Sequence, residues 1–400
     1  MSTSNTASNL PPKPRTKHAA LARPNIGEFG RHELAILGAP CGKIKDLVAR
    51  LLPHLAPELS IGYVDADHAT ADADDTAGAS PILQAGATAE LTDKIQFRRL
   101  DQPRVMDRFS QPEWLAHQSL VLVNGNHFRA KQQIIILDPA KPLDRKLEKL
   151  TDVQLILRLN AEQKLPEYLR EHLPQPDQIP VLDLHNEAGI AAFIKQWWQA
   201  SAPPLRGLVL AGGQSQRMQT DKGRLRYHGQ EQREYVAELL ATVCTDVHVS
   251  CRPDQAADLP TSLQPLPDRF LDLGPLGGIL SAFQLDPNAA WLVVACDLPF
   301  LSAETLHHLL AHRQPGKMAT AYQSPHNDFP EPLITIWEPS SYATLLRFLS
   351  LGYSCPRKAL INSDIAVLKA PDARELRNVN TPEEREAAES ELASPPGPLA

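Results

Sequence analysis

The residues best suited to chemistry form one run in the second half of the chain. Residues 207–211 are mostly apolar, and Gly212 and Gly213 follow at once. Glycines directly after a strand let backbone N–H groups approach a phosphate or a base. Arg217 and Lys222 come next, and such cations can hold a triphosphate and neutralise charge as a phosphoryl bond breaks. The run predicts a nucleotide-binding turn, although its spacing fits neither a Walker A loop nor a dinucleotide-binding GxGxxG motif.

A second candidate, Asp297, directly follows the apolar segment 291–296. A carboxylate at the end of a buried strand lies at the mouth of a sheet, where it can hold Mg²⁺ against nucleotide phosphates. Taken alone, an Asp in this position is more often a helix cap or a turn residue. The glycine turn expected on a neighbouring strand end is what favours the metal role.

Strand and helix patterns alternate along both halves of the chain, residues 28–199 and residues 205–389. A short, stiff connector that contains Pro203 and Pro204 separates the halves. This alternation predicts an α/β protein with two domains, each a mostly parallel sheet with helices on both faces. Ligands bind at the carboxyl ends of the strands in such sheets. The polar, proline-bearing tails, residues 1–23 and 390–400, are predicted to be disordered.

The C-terminal half carries several local signals. The apolar spacing predicts helices over 231–243 and 276–285, and strands over 246–250 and 291–295. Ser302 is placed to cap a helix that runs to His312. Thr381, with Pro382 after it and Glu384 three residues on, forms the pattern of a capping box. We therefore expect residues 378–382 to be mainly structural.

The composition narrows the function classes. The 400 residues are 42% hydrophobic and carry a net charge of −7, which argues against a dedicated nucleic-acid binder. No apolar run approaches the ~20 residues of a membrane span, and the N-terminus does not resemble a signal peptide. The five cysteines are scattered and odd in number. They are interpreted as reduced thiols of a cytoplasmic protein. The net charge and the lack of a long apolar run predict that neither nucleic acid nor membrane is a partner.

Residues 210–222, LAGGQSQRMQTDK, resemble the nucleotidyltransferase signature LAGGxSxRMGxDK of the molybdenum cofactor guanylyltransferase (MobA) family. Three later stretches resemble that family in the same order: 267–278, 295–300 and 377–384. Together they span about residues 205–389. Two positions depart from the family pattern, since Gln219 replaces a glycine and Ser250 stands where the family often has Asn.

The resemblance implies a Rossmann-like nucleotidyltransferase domain that moves GMP from GTP to the phosphate of molybdopterin and releases pyrophosphate. It implies Lys222 and Arg217 as catalytic cations and Asp297 as the ligand of Mg²⁺. It further implies molybdenum insertion proteins, recipient molybdoenzymes or their chaperones as candidate partners. The GTP contacts that it implies are Leu210, Ala211, Gly212, Gly213, Lys222, Ser250, Asp268 and Asp297.

The N-terminal half begins with a degenerate phosphate loop. Residues 34–45, LAILGAPCGKIK, follow the strand-then-Gly-Lys pattern, but one spacer residue is missing and Ile44 replaces the Mg²⁺-binding hydroxyl. The order of four later features, which are residues 63–68, the Asp74–Asp75 pair, Gly78 and residues 84–87, resembles the molybdopterin-guanine dinucleotide adaptor (MobB) family. Asn124 stands where that family has an acid. Gly42 and Lys43 remain candidates for binding an anion. Asp65, Asp67 and His68 could form a metal cluster, but a solvated acidic loop is the better interpretation.

Two other functions stay open at this stage. One is a cytidylyltransferase of the same superfamily, a branch that tends to show LAAG and a Lys without a preceding Asp. The presence of Gly212, Gly213 and the Asp221–Lys222 pair favours the guanylyltransferase instead. The other is a non-catalytic binding or regulatory protein, which the departures in both halves would suit.

Overall fold

The computed structural model describes residues 32–65, 90–93, 98–101, 115, 118–212 and 222–393. The predicted N-terminal tail and the last seven residues of the predicted C-terminal tail lie outside these ranges. So do Asp67, His68 and residues 213–221, which include Gly213, Arg217 and Gln219.

A parallel sheet forms the N-terminal half. The elements in chain order are β1 (His32–Leu37), α1 (Cys41–Leu55), β2 (Ile61–Val64), β3 (Glu90–Asp93), β4 (Arg98–Asp101), β5 (Leu120–Asn124), β6 (Gln132–Leu137), β7 (Val153–Arg158), α2 (Glu167–His172), β8 (Val181–Asp183) and α3 (Glu187–Ala200). The strand order is β2-β5-β1-β6-β7-β8, and all these pairs are parallel. Strands β3 and β4 form a separate antiparallel pair.

Helices cover both faces of this sheet. Leu47 of α1 and Ile194 of α3 belong to the core cluster on one face. Leu169 of α2 packs with Ile135 and Ile156 on the other. Because both faces are buried, the strands read as nearly continuous apolar runs rather than as alternating patterns.

A mixed sheet forms the C-terminal half. Its elements are β9 (Leu205–Leu210), α4 (Gln232–Ala241), β10 (Val247–Cys251), β11 (Gln264–Pro267), α5 (Pro275–Leu285), β12 (Ala290–Ala295), α6 (Ala303–Ala311), β13 (Ala319–Gln323), β14 (Pro330–Trp337), α7 (Ser341–Ser350), α8 (Pro356–Ile361), β15 (Ala366–Leu368) and α9 (Pro382–Ala393). The strand order is β11-β10-β9-β12-β14-β13-β15. Strand β14 is antiparallel to both neighbours, and the other pairs are parallel. The predicted α/β class with two sheets is confirmed.

Two core clusters flank this second sheet. Helices α4 and α6 contribute Val236 and Leu306 to one cluster. Helices α5 and α7 contribute Phe283 and Leu345 to the other. The central strand β12 is buried along its whole length, so its side chains alternate between the two clusters.

Local capping signals fix several helix starts. The Ser302 side chain accepts a hydrogen bond from the Thr305 N–H at 3.3 Å, as predicted. The capping box at α9 is also present, because Thr381 Oγ1 accepts from the Glu384 N–H and the Glu384 carboxylate accepts from the Thr381 N–H. Helix α9 continues to Ala393, so the boundary expected at residue 389 is too early.

The connector between the halves is held by a buried ion pair. Helix α3 ends at Ala200 and β9 begins at Leu205. The Arg313 guanidinium donates to the Pro203 carbonyl at 3.0 Å and to both oxygens of the Glu338 carboxylate at 2.7 and 2.9 Å. Since all these partners except Pro203 belong to the C-terminal half, the connector is anchored to that half.

None of the helices described here has the length and apolar character needed to cross a membrane. None of the five cysteines, all of which lie in the described ranges, forms a disulfide.

We predict that a fragment starting at Pro203 and running to the C-terminus folds without the N-terminal half. Both clusters that flank its sheet are built from its own residues, and about 200 residues are enough to bury a single core. Circular dichroism should show native helix content and one cooperative thermal transition. A control fragment that begins at Gly212, and so lacks the interior strand β9, should not fold. A Pro203 fragment without a cooperative transition would contradict this prediction.

Candidate active site

The carboxyl ends of β9, β10 and β12 meet at one edge of the C-terminal sheet. Leu210 of β9 is in register with Ser250 on one side and with Ala295 on the other. Past the strand end, the Ala211 N–H donates to the Ser250 carbonyl at 3.0 Å. The sheet register therefore brings the start of the glycine turn, Ser250 and Asp297 to a common edge.

A cleft of about 660 Å³ opens at this edge. Its volume is within the range of small-molecule sites. Gly213 and Arg217, two of the predicted site residues, lie outside the described ranges. Seven other predicted site residues line the cleft: Leu210, Ala211, Gly212, Lys222, Ser250, Asp268 and Asp297.

Lys222 lies between a carboxylate and an amide. Its Nζ is 3.3 Å from Asp297 Oδ2 and donates to Asn380 Oδ1 at 2.7 Å. The lysine side chain is 22% exposed and that of Asp297 is 14% exposed, so solvent screens this pair only in part. The ammonium is held at the edge of the cleft, where a phosphate oxygen could accept a hydrogen bond from it.

Asp297 has one oxygen that the fold leaves without a partner. Oδ1 is buried and accepts no hydrogen bond from any of the residues that the structure describes. Burial raises the pKa of this carboxyl, and the nearby Lys222 ammonium opposes that shift. An orphaned, buried carboxylate oxygen is costly for the fold, and it is the hard ligand that Mg²⁺ prefers.

The described residues indicate how many protein ligands a metal ion would have at this site. Among the described residues, no three His, Cys, Asp or Glu side chains come together as a metal cluster. Mg²⁺ is commonly bound through one or two carboxylates, with phosphate oxygens and water as its other ligands. Asp297 alone therefore fits Mg²⁺ that arrives with a nucleotide.

Asp268 and Ser250 form the opposite wall. Ser250 Oγ donates to Asp268 Oδ1 at 2.7 Å. Burial raises the pKa of Asp268, and the bond from Ser250 works against this rise. A Cβ at Gly212 would lie 3.3 Å from Asp268 Oδ2, so the glycine keeps the turn close to this carboxylate.

The glycine-rich segment 274–278 has a structural role as well as a place in the cleft. A Cβ at Gly277 would lie 2.2 Å from the Phe270 carbonyl oxygen, and a Cβ at Gly278 would lie 2.5 Å from Ser250 Oγ. Both glycines are therefore required by packing, since backbone and buried side chains cannot move away. Gly274 lines the cleft and has φ of +57°, a conformation that favours glycine.

Asn380 is a site residue that the sequence prediction missed. The segment around it was expected to be mainly structural, and its capping box is indeed present. The Asn380 side chain nevertheless accepts from Lys222, and the preceding Val379 N–H donates to the Asp297 carbonyl at 2.9 Å. No local pattern marks this role, because it depends on docking of the chain's last segment against the end of β12.

The phosphate-loop-like corner of the N-terminal half has a different arrangement. Lys43 Nζ donates to Asp138 Oδ2 at 2.7 Å, and the Asp138 side chain is only 3% exposed. Burial alone would raise the pKa of Asp138, but the bonds from Lys43 and from the Ala140 N–H lower it overall. Gly42 lies in the first turn of α1 with open space beside it. An anion at this corner would have to share Lys43 with Asp138.

Asn124, which takes the place of an acid at the end of β5, is fully buried. Its Nδ2 donates to Asp65 Oδ1 at 2.7 Å. Tyr63 donates its hydroxyl proton to the other oxygen of Asp65, also at 2.7 Å. Asp65 is thus tied to the ends of β2 and β5, while the other members of the predicted acidic cluster lie outside the described residues.

Known proteins resemble the C-terminal site-bearing region. Residues 207–364 match the model of the MobA-like NTP transferase domain. A molybdenum cofactor biosynthesis bifunctional protein from Synechocystis is 36% identical over 46% of this chain, and the match spans only about half (53%) of that relative's length. A probable molybdenum cofactor guanylyltransferase from Opitutus terrae is 31% identical over 47% of this chain and 96% of its own length.

A solved structure is also similar. Molybdopterin-guanine dinucleotide biosynthesis protein A from Archaeoglobus fulgidus has 23% sequence identity with this chain and a TM-score of 0.41. The match covers 47% of this chain and 98% of that one.

We predict that Asp268→Asn raises thermal stability near pH 7. Since burial raises the pKa of Asp268 above its ordinary 3.8, its protonated form favours the folded state, and that contribution is lost as pH rises through the raised value. Asn keeps an acceptor for Ser250 and carries no charge. The melting temperature of the variant should exceed that of the wild type by roughly 2 °C at pH 7. This difference should shrink as the pH falls toward 4.

The matched control is Asp254→Asn at the rim of the same cleft. A hydrogen bond from Arg252 lowers the pKa of Asp254. Replacing this carboxylate by an amide should therefore not raise the melting temperature. Equal gains from both substitutions would show that net charge, rather than burial of Asp268, sets the effect.

Proposed function

The chain belongs to the molybdenum cofactor guanylyltransferase family, and from that membership we propose that it transfers GMP from GTP to the phosphate of molybdenum-bearing molybdopterin. A phosphate oxygen of the pterin attacks the α-phosphorus of GTP. The bond between the α-phosphorus and the bridging oxygen breaks, and pyrophosphate leaves. The products are molybdopterin guanine dinucleotide and pyrophosphate.

One observation carries the proposal: Lys222 Nζ lies 3.3 Å from Asp297 Oδ2 at the edge of a cleft whose other wall holds Asp268. A cation and a carboxylate with an unused oxygen are the two charges that a bound triphosphate with its metal needs. Phosphoryl-type transfer requires positioning and charge neutralisation rather than a protein nucleophile. The arrangement supports this chemistry without a Ser-His-Asp or Cys-His constellation.

In the proposed mechanism Lys222 donates to oxygens of the triphosphate and neutralises the charge that develops on the leaving pyrophosphate. Arg217 is assigned the same task by the family motif. Asp297 would hold Mg²⁺ through its orphaned oxygen, and the metal would supply charge neutralisation to the phosphates when bound. The buried position of Asp297 keeps competing water away from that oxygen.

The nucleoside is assigned to the other side of the cleft. Residues 210–213 would present backbone N–H and carbonyl groups to the base, as the family motif implies. The Ser250–Asp268 pair, joined at 2.7 Å, offers a carboxylate that can accept hydrogen bonds from guanine or ribose donors. Ser250 is shorter than the Asn often found in the family, so Asp268 would carry more of this recognition.

A pyrophosphate-release assay on the purified full-length protein tests the proposal. Molybdenum-loaded pterin is supplied with Mg²⁺ and either GTP or CTP. Release with GTP supports the guanylyltransferase, and release with CTP alone would support the cytidylyltransferase instead. If calorimetry shows tight GTP binding but hours of incubation give no turnover, the chain is a binding or regulatory protein.

Asp297→Asn should reduce turnover by at least ~100-fold, the order expected for loss of a preorganised electrostatic interaction. The substitution keeps the size of the side chain and removes the charge that would hold Mg²⁺. The protein should remain folded by circular dichroism, so the loss would be chemical rather than structural. Turnover near the wild-type rate would mean that Asp297 only ends its strand.

The N-terminal half is proposed to act in cofactor handling rather than in transfer. Every assigned catalytic residue lies after the connector, and Lys43 is already paired with Asp138. Molybdenum insertion proteins and recipient molybdoenzymes or their chaperones are the proposed partners, and the cytoplasm is the proposed location. Gly42 and Lys43 are the proposed contacts for an anionic group of the cofactor.

Lys43→Ala should therefore leave pyrophosphate release from GTP within about twofold of wild type, because a residue outside the reacting site does not change transition-state binding. Any defect should appear when the product is delivered to a recipient enzyme, measured as the rate of its activation. A large fall in pyrophosphate release in this variant would mean that the two halves form one composite site.

A further inference from the structure

Asn380 lies two residues before helix α9 and accepts a hydrogen bond from the proposed catalytic lysine. The Asn380 backbone N–H donates to Glu384 Oε2 at 2.6 Å, and the Thr381 N–H donates to the same oxygen at 3.2 Å. On the other side of Asn380, the Val379 N–H donates to the Asp297 carbonyl at 2.9 Å. The backbone of Asn380 is thus held from both directions.

We propose that Glu384 is a positioning residue that fixes Asn380, and through it the Lys222 ammonium, for phosphoryl transfer. The inference rests on the proposed function, since it assigns Glu384 a part in the reaction that Lys222 is proposed to assist. Glu384 itself is exposed and lies on helix α9, so it acts through the backbone and not by contact with substrate.

The lysine needs such an anchor. A lysine side chain has a flexible four-carbon stem and a compact charge, so its ammonium has no fixed position without acceptors. Asn380 Oδ1 is the nearer of the two acceptors named above, at 2.7 Å compared with 3.3 Å to Asp297 Oδ2. If Asn380 shifts, Lys222 loses this shorter hydrogen bond.

The helix that carries Glu384 is itself docked beside Asp297. Ala388 is fully buried and packs with Leu392 against Phe300, three residues after Asp297. The Arg377 guanidinium stacks on the Phe300 ring at 4.2 Å and pairs with Glu391 of the helix. Because these contacts hold the body of α9, loss of the Glu384 carboxylate should free the Asn380 segment without undocking the helix.

The chemistry of the capping box suggests three variants. Glu384→Ala removes the acceptor of both N–H groups. Glu384→Gln keeps an acceptor oxygen at the same reach and removes only the charge. Glu386→Ala removes an equal charge from an exposed position on the same helix and is the matched control.

The first measurement does not require the protein to transfer GMP. Limiting acetic anhydride labels lysine amines, and mass spectrometry of the full chain reports the rate at Lys222. We expect Glu384→Ala to raise that rate several-fold, because an ammonium freed from Asn380 spends more time in water. Glu384→Gln and Glu386→Ala should label as wild type does.

The second readout is steady-state GMP transfer at 25 °C, below the melting temperature of every variant. Misplacement of a catalytic group by about 1 Å can cost on the order of 100-fold. We therefore expect Glu384→Ala to lower kcat by about 10- to 100-fold while KM for GTP changes less than about threefold. Glu384→Gln should recover most of the lost kcat.

The outcomes distinguish failure of the positioning role of Glu384 from failure of the proposed GMP transfer. Unchanged labelling of Lys222 in Glu384→Ala overturns the positioning role, whatever the activity. Faster labelling with kcat within about twofold of wild type also overturns it, since a merely structural cap would lower only the melting temperature. Faster labelling together with no transfer by the wild-type protein would retain the link from Glu384 to Lys222 and overturn the proposed function.

Discussion

Burial of the Asp297 carboxylate is the constraint on which the C-terminal site depends. A carboxylate taken out of water destabilises the fold unless a cation and hydrogen-bond donors compensate for its lost hydration. Lys222 supplies the cation, and the segment before the last helix supplies Asn380 to hold the lysine. Three segments far apart in sequence must therefore converge on the end of β12. The fold of residues 377–393 is coupled to the site for this reason, although they follow the matched region, residues 207–364.

The compensation at this edge is incomplete. Among the described residues, Asp297 keeps an orphaned oxygen, and Asp268 accepts a hydrogen bond from the neutral Ser250 hydroxyl. Both carboxyl groups accordingly have raised pKa values, with burial as the largest cause. Such groups destabilise the folded state at neutral pH, and they persist where a ligand is to supply the missing charge. The fully buried strand β12 and the clusters on both of its faces offset this cost.

Sequence reasoning succeeded where the signal is local. Strand and helix periodicity predicted both α/β halves, and the capping patterns at Ser302 and Thr381 are present as expected. The glycine turn and the strand-end aspartate predicted which edge of the sheet carries the cleft, because the ends of parallel strands must lie together. Helix α9 continues past the boundary expected at residue 389 because Leu392 packs on Phe300. The role of Asn380 could not be predicted, since it exists only once that helix has docked.

Each half pairs a lysine with a carboxylate that follows a strand, but the hydrogen bonds of the two carboxylates differ. In the N-terminal half Asp138 has both oxygens occupied, one by Lys43 at 2.7 Å and the other by the Ala140 N–H at 2.9 Å. In the C-terminal half Asp297 holds Lys222 more loosely, at 3.3 Å, and its second oxygen is orphaned among the described residues. A carboxylate with both oxygens occupied leaves little for a metal to gain, whereas one with an unused oxygen gives a metal something to complete. This difference favours Asp297 over Asp138 as a metal ligand, and it is compatible with Gly42 and Lys43 as the proposed anion contacts of the N-terminal half.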